Sequence, residues 1–317
     1  MVRHFLVLLL LSYDRLSNNP LLFKSFIGLT VQEFDDVYNK EIAKKYHEHE
    51  IKRLSKRKDK NPNTGAIRSP FKLYVKDRFL MLLVYYRLYI TYTLAGFLFD
   101  LDQRSNICSR DIQKIESSIR KCLPIPQKIY NITKRLRTVD EIEHYFPRFI
   151  SFIDSTEQEI SRPVDKKRHD VYYSSKKKRH TVKTQHVVNN LGIIIHKLNH
   201  KKGRRYDYDI YKENHPVTPK QVVNVFDLGY LGVEKDYPEQ LSSLPYRKKR
   251  NLLQLSQKQK EYNKSHSQKR IKIEHAICRL KKYRILADVF RNRIRKYDKV
   301  SDIVSGLVNY RIMNYHN

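Results

Sequence analysis

Three acidic residues, Asp154, Asp227 and Glu274, stand out in a chain of 317 residues that carries a net charge of +31. Asp154 closes the apolar run Phe149-Ile150-Ser151-Phe152-Ile153, and Asp227 closes a second, Val222-Val223-Asn224-Val225-Phe226. Glu274 lies in the basic stretch Arg270-Ile271-Lys272-Ile273-Glu274-His275-Ala276-Ile277. A surface that only holds a polyanion gains nothing from carboxylates at two strand ends. A site that holds divalent cations against a phosphate requires them. Two-metal phosphoryl transfer uses ions about 3.5–4 Å apart, and hard cations such as Mg²⁺ take oxygen ligands, so two or three carboxylates suffice. Each acid also has a structural reading. Asp154 can cap a turn, Asp227 can shape an Asp-Leu-Gly turn, and Glu274 can pair with Arg270 one helical turn away, worth a few tenths of a kcal/mol.

The positions impose demands on the elements around them. Ile273, Ala276, Ile277 and Leu280 follow the i, i+3, i+4, i+7 spacing of a buried helical stripe. Glu274 sits beside that stripe, where it can point toward a sheet edge. Arg270 and Lys281 lie near the same face and can steady its carboxylate or grip a phosphate. The two aspartates need adjacent strands, and the pattern from Pro147 onward supplies strands: Phe149–Asp154, Thr181–Asn189, Leu191–Leu198 and Val222–Phe226, with Asn189-Asn190 as a tight turn. A short helix is expected around Asp207–Glu213, and helices over Gln257–Tyr283 and Lys299–Asn314 finish the chain.

The first 125 residues read differently. Thr30 and Glu33 have capping-box spacing ahead of Phe34 and Val37. Residues 51–69 look like an exposed basic loop, and Lys76–Leu88 like an apolar helix. Two short helices follow, Tyr92–Phe99 and Ser109–Lys121, with Asp100–Ser105 as the turn of a helix-turn-helix over 91–121. Ser105, Asn106, Ser109 and Arg110 then fall near the start of the second helix, where side chains reach bases or phosphates; the alternative is a plain bundle connection. Pro124 and Pro126 mark a boundary, since prolines disfavour helix interiors. The expected division is a helical DNA-binding domain (1–125), a linker (126–147) containing a helix over Thr138–Tyr145, and a mixed α/β domain (148–317).

Composition narrows the partner. There are 64 Lys+Arg against 33 Asp+Glu, and residues 161–220 and 241–300 hold 16 and 19 of the bases against 5 and 4 acids. Two basic blocks bracketing an acidic triplet suit a phosphate-backbone channel. Cys108, Cys122 and Cys278 have no metal or disulfide spacing and fit a reducing cytosol. His180, His186, His196 and His200 sit on strands and a turn without zinc-site spacing. Phe5–Leu11 resembles a short signal core but lacks a cleavage site and is expected to be a buried or spurious segment. No other apolar run reaches membrane-spanning length, so no membrane partner is expected.

The motifs Asp154-Ser155-Thr156-Glu157, Asp227-Leu228-Gly229-Tyr230-Leu231-Gly232 and Arg270-x-x-x-Glu274-x-x-x-x-x-x-Lys281 resemble those of insertion-sequence DDE transposases, in the branch that includes Harbinger-type elements. Asp227 follows Asp154 by 73 residues and Glu274 follows Asp227 by 47. Gly203-Arg204-Arg205-Tyr206-Asp207 is similar to the family's Gly-x-x-His-Asp segment, with Tyr206 in place of His. Ser155 stands where Gly or Ala is commoner, and Ser267 where the family carries Tyr. The resemblance implies an RNase H-like catalytic domain after a helix-turn-helix, and cut-and-paste transposition. Asp154, Asp227 and Glu274 would bind two Mg²⁺ or Mn²⁺ ions, and no organic cofactor is expected. One ion would activate water to nick the element end, and the freed 3′-OH would attack target DNA. Double-stranded DNA, as terminal inverted repeats and target, would be the partner of a homodimer in the cytoplasm, at the nucleoid of a prokaryote. By charge and position, Lys177, His180, Lys183, Arg279 and Lys282 are candidates for backbone contacts. Three other readings are a catalytically silent, decayed or host-adopted DNA-binding copy, a resolvase-like nuclease, and a ribosomal-type RNA binder.

Overall fold

Thr30 and Glu33 form the reciprocal cap expected of them: the Glu33 amide donates to Thr30 Oγ1 at 3.1 Å, and the Thr30 amide donates to Glu33 Oε2 at 2.7 Å. The computed structural model describes residues 10–44, 46–48, 72–102, 106–248 and 254–315. Nearly all of the Phe5–Leu11 segment, the whole of the 51–69 loop and Ser105 lie outside these residues. The chain folds as two compact units, one formed by Met1–Leu123 with Tyr283–Ile285 and the other by Pro124–Lys282 with Leu286–Asn317.

The first unit is helical: α1 (Tyr13–Ser17), α2 (Pro20–Ile27), α3 (Val31–Val37), α4 (Val75–Leu88), α5 (Tyr92–Leu98) and α6 (Ile107–Cys122). Phe34 stacks between Tyr13 and Phe79 at 5.3 and 4.7 Å. The run Phe79 through Tyr86 of α4 is buried on every side, and the helix forms the centre of the unit. Tyr86 donates to Glu116 of α6 at 3.0 Å. The α5–α6 pair occupies the place read as a helix-turn-helix, with α6 starting two residues earlier than expected.

The second unit opens with α7 (Pro126–Thr133) and α8 (Val139–Tyr145). Pro126 was read as a helix breaker. It occupies the first turn of α7 instead, where a missing N–H costs nothing because that donor has no intrahelical acceptor. Then come β1 (Ile150–Glu159), α9 (Lys166–Tyr172), β2 (Tyr173–Ser174), β3 (Arg179–Asn189), β4 (Ile194–Lys197), β5 (Lys201–Lys202), α10 (Asp207–Glu213), β6 (Val223–Val225), α11 (Val233–Asp236), β7 (Ser242–Ser243), α12 (Gln257–Lys281) and α13 (Tyr297–Tyr315). The sheet runs β2-β3-β1-β6-β7, with β4 and β5 also paired to β3. Strand β3 is antiparallel to β1, whereas β6 is parallel to β1 and β7 is parallel to β6. Ile153, Val187, Phe226, Tyr230 and Tyr211 pack as one core on the sheet.

Strand β1 departs from expectation. It does not end at Asp154 but continues for five residues, pairing Ser155 to Glu159 with Gln185 to Thr181. This far half is polar, so it carries no apolar alternation to read. Cross-strand partners satisfy it: Glu157 accepts from Thr181 Oγ1 at 3.0 Å and pairs with Lys183 at 3.4 Å. Of the thiols, all expected to be buried or half-buried, Cys108 is buried and Cys122 half-buried, but Cys278 is exposed on α12.

Candidate active site

The parallel register Ile150↔Val223, Ser151↔Asn224, Phe152↔Val225 ends two residues before Asp154 and Asp227, which stay close enough for the charge of Asp227 to act on Asp154. Side chains lock that register. Ser151 and Asn224, each three residues before an aspartate and both fully buried, share a hydrogen bond, and Asn224 Nδ2 donates to Thr218 Oγ1 at 2.8 Å. Beyond Val225 the two paths diverge. β1 runs on with β3, while the chain at Asp227 turns into a 3₁₀ turn, Leu228–Tyr230. Asp227 Oδ1 accepts from the Gly229 amide at 2.8 Å and caps that turn. The aspartates therefore stand in the fork where parallel neighbours separate, the place where open α/β sheets leave room for ligands.

One buried hydroxyl joins strand β1 to the turn after β6. Tyr230, buried, has its hydroxyl 3.1 Å from Ser155 Oγ and accepts from Gln185 Nε2 at 2.8 Å. Ser155 follows Asp154 and Tyr230 lies three residues after Asp227, so one network couples both motifs. Serine at 155, a departure from the commoner small residue, thus has a structural use.

The electrostatics show crowding of negative charge. Asp154 is raised from 3.8 to about 6, chiefly by burial, with Asp227 and Asp207 pushing the same way. Arg270 and the Ser155 amide oppose the rise: Arg270 Nη2 donates to Asp154 Oδ2 at 2.9 Å and the amide to Oδ1 at 2.8 Å. Behind them Lys183, nearly buried, pairs with Glu157 and with Asp207 at 3.1 Å and donates to the Arg205 carbonyl at 2.7 Å. Its ammonium is thus spent inside the site, although a DNA-backbone contact was expected of it. Acid oxygens held ionisable at one place, with a single guanidinium against them, suit a hard divalent cation.

Glu274 is exposed on α12. The helix packs on β1 and β3 and buries Ile273, Ala276 and Leu280, as the stripe required. Arg270 reaches Asp154 rather than pairing with Glu274. At about 100° per residue, Arg270, Glu274 and Lys281 fall within roughly 40° of one another around the helix. Lys281 lies in the field of Asp154, Glu157 and Lys177, and partial desolvation lowers its pKa. Glu274 therefore sits between two cations that both sense Asp154. Among the described residues, no three of His, Cys, Asp and Glu converge into a ready-made metal cluster. The structure brings the two aspartates together and leaves Glu274 on the facing helix.

The other expected residues are dispersed. Asn106, in a left-handed conformation, precedes α6, Ser109 accepts from Gln113 at 3.1 Å, and Arg110 is exposed. Lys177 is in the turn before β3, where its amide donates to Ser174 Oγ at 3.2 Å. His180 packs between His169 and Tyr173 at 4.3 and 5.6 Å. Arg279 and Lys282 are exposed at the end of α12. Gly203 lies so close to β3 that a Cβ there would stand 2.6 Å from the Thr181 carbonyl, which explains the glycine of the 203–207 segment. Sequence reasoning missed Tyr230 and Gln185, since only the folded sheet brings them to Ser155.

A mixed sheet with paired acids at its fork, in a chain that also holds a helix-turn-helix, describes a DNA-cutting enzyme of the RNase H-like class. Residues 153–309 match the family described as DDE superfamily endonuclease, and residues 71–124 match the helix-turn-helix of DDE superfamily endonuclease. Over 294 residues the chain is 32% identical to a probable transposase for insertion sequence element IS702 of Microchaete diplosiphon, covering 92% of this chain and 94% of that one. No solved structure matches. The chain belongs to the insertion-sequence transposases of the DDE superfamily, whose endonucleases act with divalent metal ions. Among the described residues no helix is long and apolar enough to cross a membrane.

Proposed function

We propose that this chain cuts and rejoins DNA at the terminal inverted repeats of an insertion sequence, with Asp154, Asp227 and Glu274 holding two Mg²⁺ or Mn²⁺ ions. The observation that carries the reading is the pairing of Asp154 with Asp227 at the strand fork, beneath Arg270. Bound there, the ions supply Lewis acidity at the phosphate under attack. The protein's own groups do the rest. Arg270 keeps Asp154 ionised, the Gly229 amide aims Asp227, and Lys281 stands ready to take a phosphate oxygen beside Glu274. Asn106, Ser109 and Arg110 engage the element end from α6, while Lys177, His180, Arg279 and Lys282 hold backbone near the catalytic strands. In this division the helical part up to about residue 125 recognises DNA, and residues from 148 onward cut it, as a dimer across paired ends at the nucleoid.

The test is strand cleavage of DNA carrying the element's terminal repeats. With Mg²⁺ the wild type nicks the element end, and Asp227→Asn binds the same DNA without nicking it. Equal cleavage by both proteins would overturn the assignment, and binding without cleavage by the wild type under any divalent ion would mark a silent DNA-binding copy.

Gly229 offers a finer probe. A Cβ at this position would lie 2.9 Å from Asp227 Oδ1, and the next nearest atoms, at 3.7 Å, belong to the same carboxyl group. Gly229→Ala therefore folds normally but displaces the carboxylate, and a misplacement of about 1 Å costs on the order of 10²-fold in rate. Cleavage kinetics beside a melting curve check this: a large loss in rate at unchanged Tm is expected.

A further inference from the structure

A groove of about 700 Å³ opens in the second unit beside the Asp227 turn, lined by Leu231, Glu234, Tyr246, Arg247, Lys248 and Tyr262 among others. Its aromatic corner is preformed. Tyr246 and Tyr262 meet edge to face at 5.1 Å and remain 49% and 40% exposed. The Tyr246 backbone is strapped to α12 on both sides, its amide donating to Asn263 Oδ1 at 2.8 Å and its carbonyl accepting from Asn263 Nδ2 at 3.0 Å. The Tyr262 hydroxyl sits 3.0 Å from Ser243 Oγ. Ser243 in turn accepts from the Phe226 amide at 3.0 Å, one residue before Asp227. The groove is thus fixed to the catalytic fork.

The helix joins the same two places. Tyr262, His266, Arg270 and Glu274 recur every fourth residue along a ridge of α12 that turns about 40° at each step. Tyr262 lines the groove, His266 reaches the Ser243 carbonyl at 3.1 Å, and Arg270 holds Asp154. From Tyr262 to Arg270 the helix rises about 12 Å. That equals three or four nucleotides of stacked strand at about 3.4 Å each, fewer when the strand is drawn out. Flat aromatic faces accept any base by stacking, and adjacent cations track its phosphates. Arg247 and Lys248 provide those cations, and Glu234 can accept from an exocyclic amine. A duplex cannot enter a groove of this volume, but one or two unpaired nucleotides can.

We propose that this groove binds a nucleobase unstacked from the DNA strand a few nucleotides from the scissile phosphate, held by Tyr246 and Tyr262 and anchored by Arg247 and Lys248. The proposal rests on the DNA-cleaving function above. Capturing the base fixes the strand against the acids and charges the cost of local unpairing to binding.

The experiment uses the full chain with terminal-repeat DNA in which 5-iododeoxyuridine replaces each nucleotide in turn near the cleavage position. Complexes formed with Ca²⁺ are irradiated and the crosslinked peptides mapped. Crosslinks to Tyr246 or Tyr262 from one or two positions are expected. In parallel, Tyr262→Ala lowers the rate of Mg²⁺-dependent cleavage at least tenfold, and Tyr262→Phe, which keeps the ring but loses the hydroxyl, restores most of it. Wild-type cleavage with no crosslink in the groove overturns this inference alone, as does an alanine variant that cuts at the wild-type rate. Equal losses in the alanine and phenylalanine variants also overturn it, because the Ser243 contact would then be the cause. No cleavage by the wild type under any divalent ion overturns the proposed function and this inference together.

Discussion

Asp154→Asn melts at a higher temperature than the wild type in metal-free buffer at neutral pH, and no longer cuts DNA. The first outcome follows from the burial of the carboxyl, the second from its proposed place among the metal ligands. Raising the carboxyl from 3.8 to about 6 means the ionised form at pH 7 costs the fold roughly 3 kcal/mol. The sign follows from proton linkage. A folded-state value above the unfolded one means the native state binds the proton more tightly, so this group adds stability as pH falls from about 6 toward 4 and withdraws it above. The amide carries no charge to desolvate and can still accept from Ser155 or Arg270. Loss of Arg270's ionic partner offsets part of the gain, so the net is about 1–2 kcal/mol. Activity falls by about 10³-fold or more, the scale of several kcal/mol of electrostatic stabilisation. Thermal unfolding with chelator, paired with cleavage assays, decides it; a lowered Tm would show that Asp154 is a structural partner of Arg270 rather than a strained acid.

Arg270→Ala shifts the acid limb of the cleavage profile to higher pH. The guanidinium is the largest influence holding Asp154 down against burial, Asp227 and Asp207. Without it the carboxyl rises above about 6, and each further pH unit cuts the ionised fraction on the acid side about tenfold. At pH 7 the variant loses about tenfold or more in rate and recovers much of it near pH 8.5. Arg270→Lys keeps a charge without the fork of donors and falls between. Rates from pH 5.5 to 9 check this, and an acid limb unmoved by the alanine substitution would assign Arg270 to phosphate binding instead.

How much of this was legible beforehand depends on where the information lies along the chain. Helix α10 appears over Asp207–Glu213, as read, and the Thr30 cap and the buried stripe of α12 follow from spacing alone. These are local patterns, and local patterns survive folding. The middle placement of Asp154 was not legible, because the second half of β1 is polar and its partners, Thr181 and Lys183, lie more than 20 residues away. Lys183 reads as one base among many until Glu157 and Asp207 close on it. Tyr230 looks like a core aromatic, and only the packed sheet shows its hydroxyl reaching from the Asp227 turn to Ser155 beside Asp154. The acids themselves could be picked out because their type clashes with their surroundings. The guanidinium on Asp154 was not legible, because helical spacing offers Arg270 to Glu274 and only the packing of α12 on β1 carries it to Asp154.

The Ser151–Asn224 lock carries a consequence for the length scale of the site. Neighbouring strands lie about 4.8 Å apart whatever their side chains, and a one-residue slip would turn an inward side chain outward. By fastening the register three residues upstream, the buried pair fixes the point at which the two chains part. The sheet acts as a gauge block for Asp154, which stands inside β1, while Asp227 takes its aim from the Gly229 amide in the turn that follows. Glu274, mounted on a helix rather than on the gauge, is left to set how tightly the site closes.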